Sequence, residues 1–257
     1  MQSSPTFNKK YFKKLPLRLV VLLIIFALAI FLFAFITYEV ILEKKEAFDN
    51  HIFNYLSTYL INPRLTVFMK GVTHFASATF LEIAYGVLLV AYLIRKNWKR
   101  VIEILVIGLG GFLVNYFMKL SFHRIRPTHP LIDPLQNFSF PSGHATSGFI
   151  FYGLIAYLVW KTNIPKMYKY FIGSIFVLFS LLIGFSRVYL RMHYPSDVIA
   201  GFCIGFAWLI LIILLFERLK QKSNSEIQFQ TPIGLDDKKY QKGKNSDYGS
   251  EGFRFES

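Results

Sequence analysis

Phe140-Pro141-Ser142-Gly143-His144 opens a hydrophobic run and has a cationic cluster on either side of it in the chain. Upstream, Lys119 is followed seven residues later by Arg126-Pro127; downstream, Ser186-Arg187 is followed by His193 and Asp197. Each of these stretches sits at one end of an apolar segment. Their order and spacing predict a single phosphate site built at the ends of membrane helices, so reading Ser142 as the start of a span decides the fold.

The composition agrees with a bilayer as solvent. The chain has 257 residues, 54% of them apolar, with 28 Phe and a mean hydropathy of +0.41, which is too apolar for an ordinary soluble domain. The net charge of +14 would suggest nucleic acid in a soluble protein. Here much of it lies beside apolar spans, where anionic lipid and the positive-inside bias account for it, and no nucleic-acid partner is expected. The single cysteine, Cys203, lies in an apolar run, which excludes an intrachain disulfide and a cysteine metal cluster.

The expected fold class is all-α and integral to the membrane, a bundle of six transmembrane helices. Residues 1–18 form a basic amino terminus with Lys9, Lys10, Lys13, Lys14 and Arg18 crowded before the first span, which favours a cytoplasmic position. Residues 19–217 form the six-span domain, with spans at about 19–42, 78–94, 101–120, 142–161, 170–185 and 198–216. The first is too long for a signal-peptide core and no small-residue cleavage site follows it, so it reads as a retained anchor. Between residues 43 and 77 apolar side chains recur at helical spacing, predicting one or two amphipathic helices on the outer face. Gly108, Gly110 and Gly111 in the third span, and Gly201 and Gly205 in the sixth, predict close helix contacts. Residues 218–257 are polar and of mixed charge, as expected of a disordered cytoplasmic tail.

With six crossings and both termini inside, the end of span three, the start of four, the end of five and the start of six all reach the outer face. The three motifs are then neighbours in depth. Lys119, Arg126, Arg187 and Arg191 would gather near one plane, which a bound phosphate dianion explains, since charge at membrane depth is costly and Arg grips two phosphate oxygens at once. Pro141-Ser142-Gly143-His144 begins a helix, where unpaired amides and the dipole attract anions. Ser142 can cap the helix or donate its hydroxyl, and Gly143 lets the backbone approach phosphate. His193 and Asp197, four residues apart, can share a helical face, so that the carboxylate holds one imidazole nitrogen and leaves the other as a directed nucleophile or base.

These residues resemble the three motifs of the type 2 phosphatidic acid phosphatase (PAP2) superfamily: Lys119 through Pro127 the first, Pro141 to His144 the second, and Ser186-Arg187 with His193 and Asp197 the third. The resemblance spans about residues 47–216. It implies a phosphatase that needs neither metal nor other cofactor and works through a phosphohistidine. By position His193 would attack phosphorus, Asp197 would orient and charge-stabilise it, and His144 would protonate the leaving oxygen and then activate water. Lys119, Arg126, Ser142, the Gly143 amide and Arg187 would bind the substrate phosphate. Vanadium haloperoxidases share the constellation but are soluble, and the apolar spans argue against that branch.

The expected function is hydrolysis of a phosphomonoester or diphosphate on a membrane lipid at the extracytoplasmic face of a bacterial cell membrane, with undecaprenyl diphosphate, phosphatidylglycerophosphate or phosphatidic acid as candidates. The alternatives are lipid A dephosphorylation or phosphate transfer between lipids and, from another class, a non-catalytic lipid-phosphate transporter. The transporter needs the cations but neither a nucleophile nor a general acid. The sequence carries no signal of oligomeric state.

Overall fold

A computed structural model describes residues 17–133 and 136–230, and among these residues there is no strand. The elements are α1 (Leu17–Thr37), continued by a π-helical turn (Tyr38–Leu42), then α2 (Ala47–Tyr59), α3 (Pro63–His74), α4 (Ala78–Ile94), α5 (Trp98–Phe122), α6 (Gly143–Trp160), α7 (Lys166–Tyr189) and α8 (Pro195–Gln230). The chain divides into two compact units, residues 1–214 and 215–257. The described part of the second, 215–230, is helical. Residues 218–230 of the expected tail are therefore helix, while residues 231–257 and the amino-terminal lysines lie outside the described residues.

Local chemistry sets the helix boundaries. Asn62 accepts from the Leu65 amide (2.9 Å) with Pro63 in the first turn of α3; Ser77 and Asn97 cap α4 and α5 in the same way. These side chains satisfy amides that the first turn leaves unpaired. At the other end of α5, His123 takes a left-handed conformation (φ 50°) and stops the helix. Among the described residues there is then no helix before Ser142, which caps α6 by accepting from the Ala145 amide (3.4 Å).

Four segments are long and apolar enough to cross a membrane: Leu19–Leu42, Trp98–Phe122, Lys166–Tyr189 and Pro195–Leu219. The pair α3 and α4, bent by 41° at the break between them, passes the same test as a fifth. Helix α6 is not among them, because its polar start, Gly143-His144-Ala145-Thr146-Ser147, dilutes an otherwise apolar helix. The expected amphipathic stretch forms two helices, α2 and α3. Only 6% of the most apolar segment, Leu19–Leu42, is buried. A surface this apolar is disposed for lipid, not water.

Helix α6 lies at the centre, packed on α5 and α7, with Ala145, Thr146, Gly148, Ile150, Phe151, Tyr152 and Leu154 buried. Helix α8 comes against it through the small residues expected to permit this: a methyl at Gly201 would stand 2.9 Å from the Ser142 carbonyl oxygen, and one at Gly205 3.1 Å from that of Thr146. The carbonyl oxygens at the start of α6 thus meet α8 without a side chain between them. Elsewhere Trp208 Nε1 donates to the Ile107 carbonyl (3.0 Å), tying α8 to α5. The Tyr189 hydroxyl at the end of α7 accepts from the Asn62 amide (3.2 Å) and lies 3.1 Å from Thr66 Oγ1, tying α7 to the turn before α3.

Candidate active site

The end of α5, the start of α6, the end of α7 and the α7–α8 turn converge, and they bring together the charged and imidazole side chains that the sequence singled out. His193, in the turn, is 1% exposed, and Asp197, in the first turn of α8, is completely buried. His193 Nδ1 lies 3.5 Å from Asp197 Oδ2 and 3.4 Å from Ser139 Oγ. Its other ring nitrogen, Nε2, lies 3.2 Å from Arg126 Nη1. A guanidinium can only donate, so Nε2 is the accepting nitrogen and the ring proton sits on Nδ1, facing the carboxylate. The imidazole is thereby held neutral, with its lone pair pointing away from Asp197.

Burial pushes the pKa of His193 well below the ordinary imidazole range, and Arg126, Arg187 and Lys119 push it further down. The ring consequently keeps its lone pair into acid. Asp197 is held on every side. Its Oδ2 accepts from the Ser139 hydroxyl and from the Tyr194 amide (3.0 Å), and its Oδ1 accepts from Arg124 Nη1 (2.6 Å). The Ser142 amide donates to the Asp197 carbonyl (3.0 Å), which locks the starts of α6 and α8 together.

The cations are arranged differently. Arg187, 2% exposed, donates from Nη1 to Thr73 Oγ1 (2.9 Å), but its Nε and Nη2 are buried without a hydrogen-bond partner. Buried donors are nearly always paired, so this arginine is built to meet an acceptor the protein does not supply. Lys119 Nζ donates to the Phe138 carbonyl (2.7 Å) and lies within electrostatic reach of Arg126, Asp197 and Arg187. A methyl on Gly143 would meet Asn115 Oδ1 at 3.4 Å and Lys119 Cε at 3.7 Å, so the Gly143 backbone adjoins the lysine. His144 faces Arg187, His193, Arg126 and Lys119. Arg126 donates to the carbonyls of Asn137 (Nε, 2.8 Å) and Met192 (Nη1, 2.6 Å) and to the Asn137 side chain. Burial lowers its pKa from the usual guanidinium value, which Asp197 partly offsets.

One expected neighbour is absent from this group. Arg191, in the left-handed region (φ 54°), turns to Ser57 and stands 5.5 Å over the Phe53 ring on α2. The backbone reversal after α7 sends it outward, so it is no part of the cationic cluster. The site also contains residues that the motifs did not single out. Arg124 Nη2 pairs with Asp49 (2.8 Å) while its Nη1 holds Asp197; Asp49 accepts from the Ser196 amide (2.9 Å) and hydroxyl (2.6 Å). Ser139 braces Asp197, and Thr73 braces Arg187. Arg124 was visible in the sequence two places before Arg126. The chain is not helical there, so no periodicity tells which of the two arginines reaches Asp197 and which reaches the Met192 carbonyl.

The fold and site together define a helical membrane protein with a buried His–Asp pair facing a cluster of cations, among them Arg187 with two donor atoms that no protein group accepts from. Residues 100–221 match the family model of the PAP2 superfamily. Phosphatidylglycerophosphatase B of Bacillus subtilis (strain 168) is 32% identical over 164 residues, 62% of this chain and 79% of that protein. An undecaprenyl-diphosphatase of the same organism is 32% identical over 145 residues, 53% of this chain and 67% of that protein. Among solved structures, the transmembrane PAP2-type phosphatidylglycerolphosphate phosphatase from Bacillus subtilis superposes with a TM-score of 0.63 at 26% identity, covering 77% of this chain and 96% of that one. The chain belongs to the PAP2 superfamily. It is a phosphoric ester hydrolase of the membrane.

Proposed function

We propose that the protein removes phosphate from a lipid phosphomonoester or diphosphate at the extracytoplasmic face of the cell membrane, through a phosphohistidine and without a metal. In this reading the chain crosses the bilayer six times with both termini inside, residues 19–217 forming the catalytic domain. The observation that carries it is the pairing of a neutral His193, whose Nε2 lone pair points away from Asp197 and meets Arg126 Nη1 (3.2 Å), with the partnerless Nε and Nη2 of buried Arg187. A nucleophile and two arginine donor atoms without a protein partner belong to one site.

The substrate phosphate sits among Arg187, Lys119, Arg126, Ser142 and the Gly143 amide, which hold its three equatorial oxygens. Arg126 turns from Nε2 to an oxygen as the phosphate arrives. The lone pair of Nε2 then attacks phosphorus, the bond from phosphorus to the leaving oxygen breaks, and His144 gives that oxygen its proton. The imidazole keeps its Nδ1 proton and gains positive charge, which Asp197 balances. In the second half His144 takes a proton from water, the hydroxide attacks phosphorus, and the phosphorus–nitrogen bond breaks with its electrons returning to Nε2. Fixed cations that meet charge as it develops stabilise both transition states without reorganising.

The relatives that act on phosphatidylglycerophosphate and undecaprenyl diphosphate support a phosphate head on a lipid tail. The test is phosphate release by the purified protein in detergent with chelator, across phosphatidylglycerophosphate, undecaprenyl diphosphate and phosphatidic acid, beside His193→Ala. Release from one lipid, undiminished by chelator and absent from the variant, is the expected result. Release that requires magnesium overturns the metal-free route, and lipid movement without release, unchanged by His193→Ala, replaces the enzyme with a transporter.

A further inference from the structure

We infer that Asp49, outside the region matched by the family model, is a positioning residue for this reaction: acting through Arg124 and Ser196, it sets the charge and orientation of the Asp197 carboxylate behind His193. The inference rests on the phosphohistidine reading of the same site.

Asp49 lies in the first turn of α2, 1% exposed, far along the chain from the motifs. Its Oδ1 accepts from the Ser196 amide (2.9 Å) and its Oδ2 from the Ser196 hydroxyl (2.6 Å) and Arg124 Nη2 (2.8 Å). Ser196 follows Pro195 at the start of α8 and directly precedes Asp197. Asp49 therefore caps α8 from another helix, satisfying a first-turn amide and opposing the positive end of the helix dipole. The turn that carries Asp197 is fixed by this contact.

The second effect is on charge. Arg124 reaches Asp197 Oδ1 at 2.6 Å and Asp49 at 2.8 Å. Two carboxylates share one guanidinium, so the buried group carries a net negative charge. If Asp49 were neutral, Arg124 would belong to Asp197 alone and cancel the charge that balances the imidazolium formed when His193 takes the phosphoryl group. The cations facing His193, namely Arg126 from the loop, Lys119 from α5 and Arg187 from α7, already oppose positive charge on the ring, and His144 faces it from α6. Arg124 also stacks on Tyr194, 4.0 Å from the ring centroid, with Glu46 nearby. Against that surplus of cations, the second carboxylate is what leaves Asp197 a usable charge.

The experiment compares wild type, Asp49→Asn and Asp49→Glu. Asparagine keeps an acceptor for the Ser196 amide and removes the charge; glutamate keeps the charge. Phosphate release from the lipid that wild type hydrolyses should show kcat in Asp49→Asn lower by about tenfold with KM within about twofold. Its acid limb in kcat/KM should move to lower pH, because losing a negative charge makes His193 harder to protonate. Asp49→Glu should recover part of kcat and return the limb. In parallel, nitrogen-15 spectra of protein with labelled histidine rings, assigned by His193→Ala, should give a lower titration midpoint for His193 in Asp49→Asn. That readout needs no turnover, so it decides the inference even if wild type releases no phosphate, the result that would overturn the proposed function. If Asp49→Asn does not fold, Ser196→Ala is read by kcat, since it keeps the charge of Asp49 and removes one of its tethers: a smaller loss of kcat with KM unchanged is expected, and an unchanged kcat overturns the inference. In Asp49→Asn, an unshifted midpoint and acid limb, or a loss that only follows the folded fraction, overturns it.

Discussion

Two halves of the site, on either side of the His193 ring, are finished to different degrees. Behind the ring, Asp197, Arg124, Asp49, Ser139 and Ser196 satisfy one another in a closed set of ion pairs and hydrogen bonds. In front of it, Arg187 keeps two buried donors without partners. A buried unpaired donor costs about 1–3 kcal/mol, which a folded chain tolerates where a ligand repays it. The difference marks the rear half as scaffold and the front half as the seat of an anion.

The comparison breaks most severely at Arg124. Replacing it by Met leaves Asp49 and Asp197 buried together without their cation, and the protein in detergent should lose about 3–5 kcal/mol of stability in denaturant unfolding. Arg187→Met, the equivalent change in front, should do the opposite. It removes the orphaned donors, so stability should rise by about 1 kcal/mol, while kcat/KM falls by about a hundredfold to a thousandfold. Equal destabilisation by the two substitutions would erase the distinction between scaffold and seat.

A smaller effect sharpens it. Burial and then Arg126 hold the His193 pKa below its ordinary range, and attack requires the neutral ring. Activity should therefore persist below about pH 6.5, the ordinary imidazole value. In Arg126→Ala one opposing cation is gone, the His193 pKa rises towards that value, and the acid limb of kcat/KM should move to higher pH whatever happens to its height. A limb that stays in place would mean that another group titrates there.

Much of the front half was legible in the sequence, because its residues sit in short motifs at helix ends. Ser142 as a cap follows from local sequence alone; His193 and Asp197 do meet, but across the turn before α8 and not on a shared helical face, and Gly143 beside Lys119 depends on how α5 and α6 pack. Most helices also fall where apolar runs and basic turns placed them, but α8 runs on to Gln230, past the expected end of the last span. The rear half was mostly hidden. Asp49 stood on the polar side of an amphipathic helix, and periodicity says which face a residue occupies, not which distant element covers that face. Its partner Ser196 is far away in sequence, and nothing local distinguishes a buried aspartate from a solvated one. Arg191 failed in the converse way: the spacing put it beside Arg187, and a left-handed residue turned it out.

The central claim is that His193 Nε2 takes the phosphoryl group. It is tested most directly by mixing the protein with a lipid phosphate carrying a radioactive phosphoryl group, quenching within one turnover in alkali, and locating the label by mass spectrometry. The account predicts an acid-labile, alkali-stable label on the peptide containing His193, absent from His193→Ala. Phosphate release with no label on any histidine, or with full rate in His193→Ala, would contradict it.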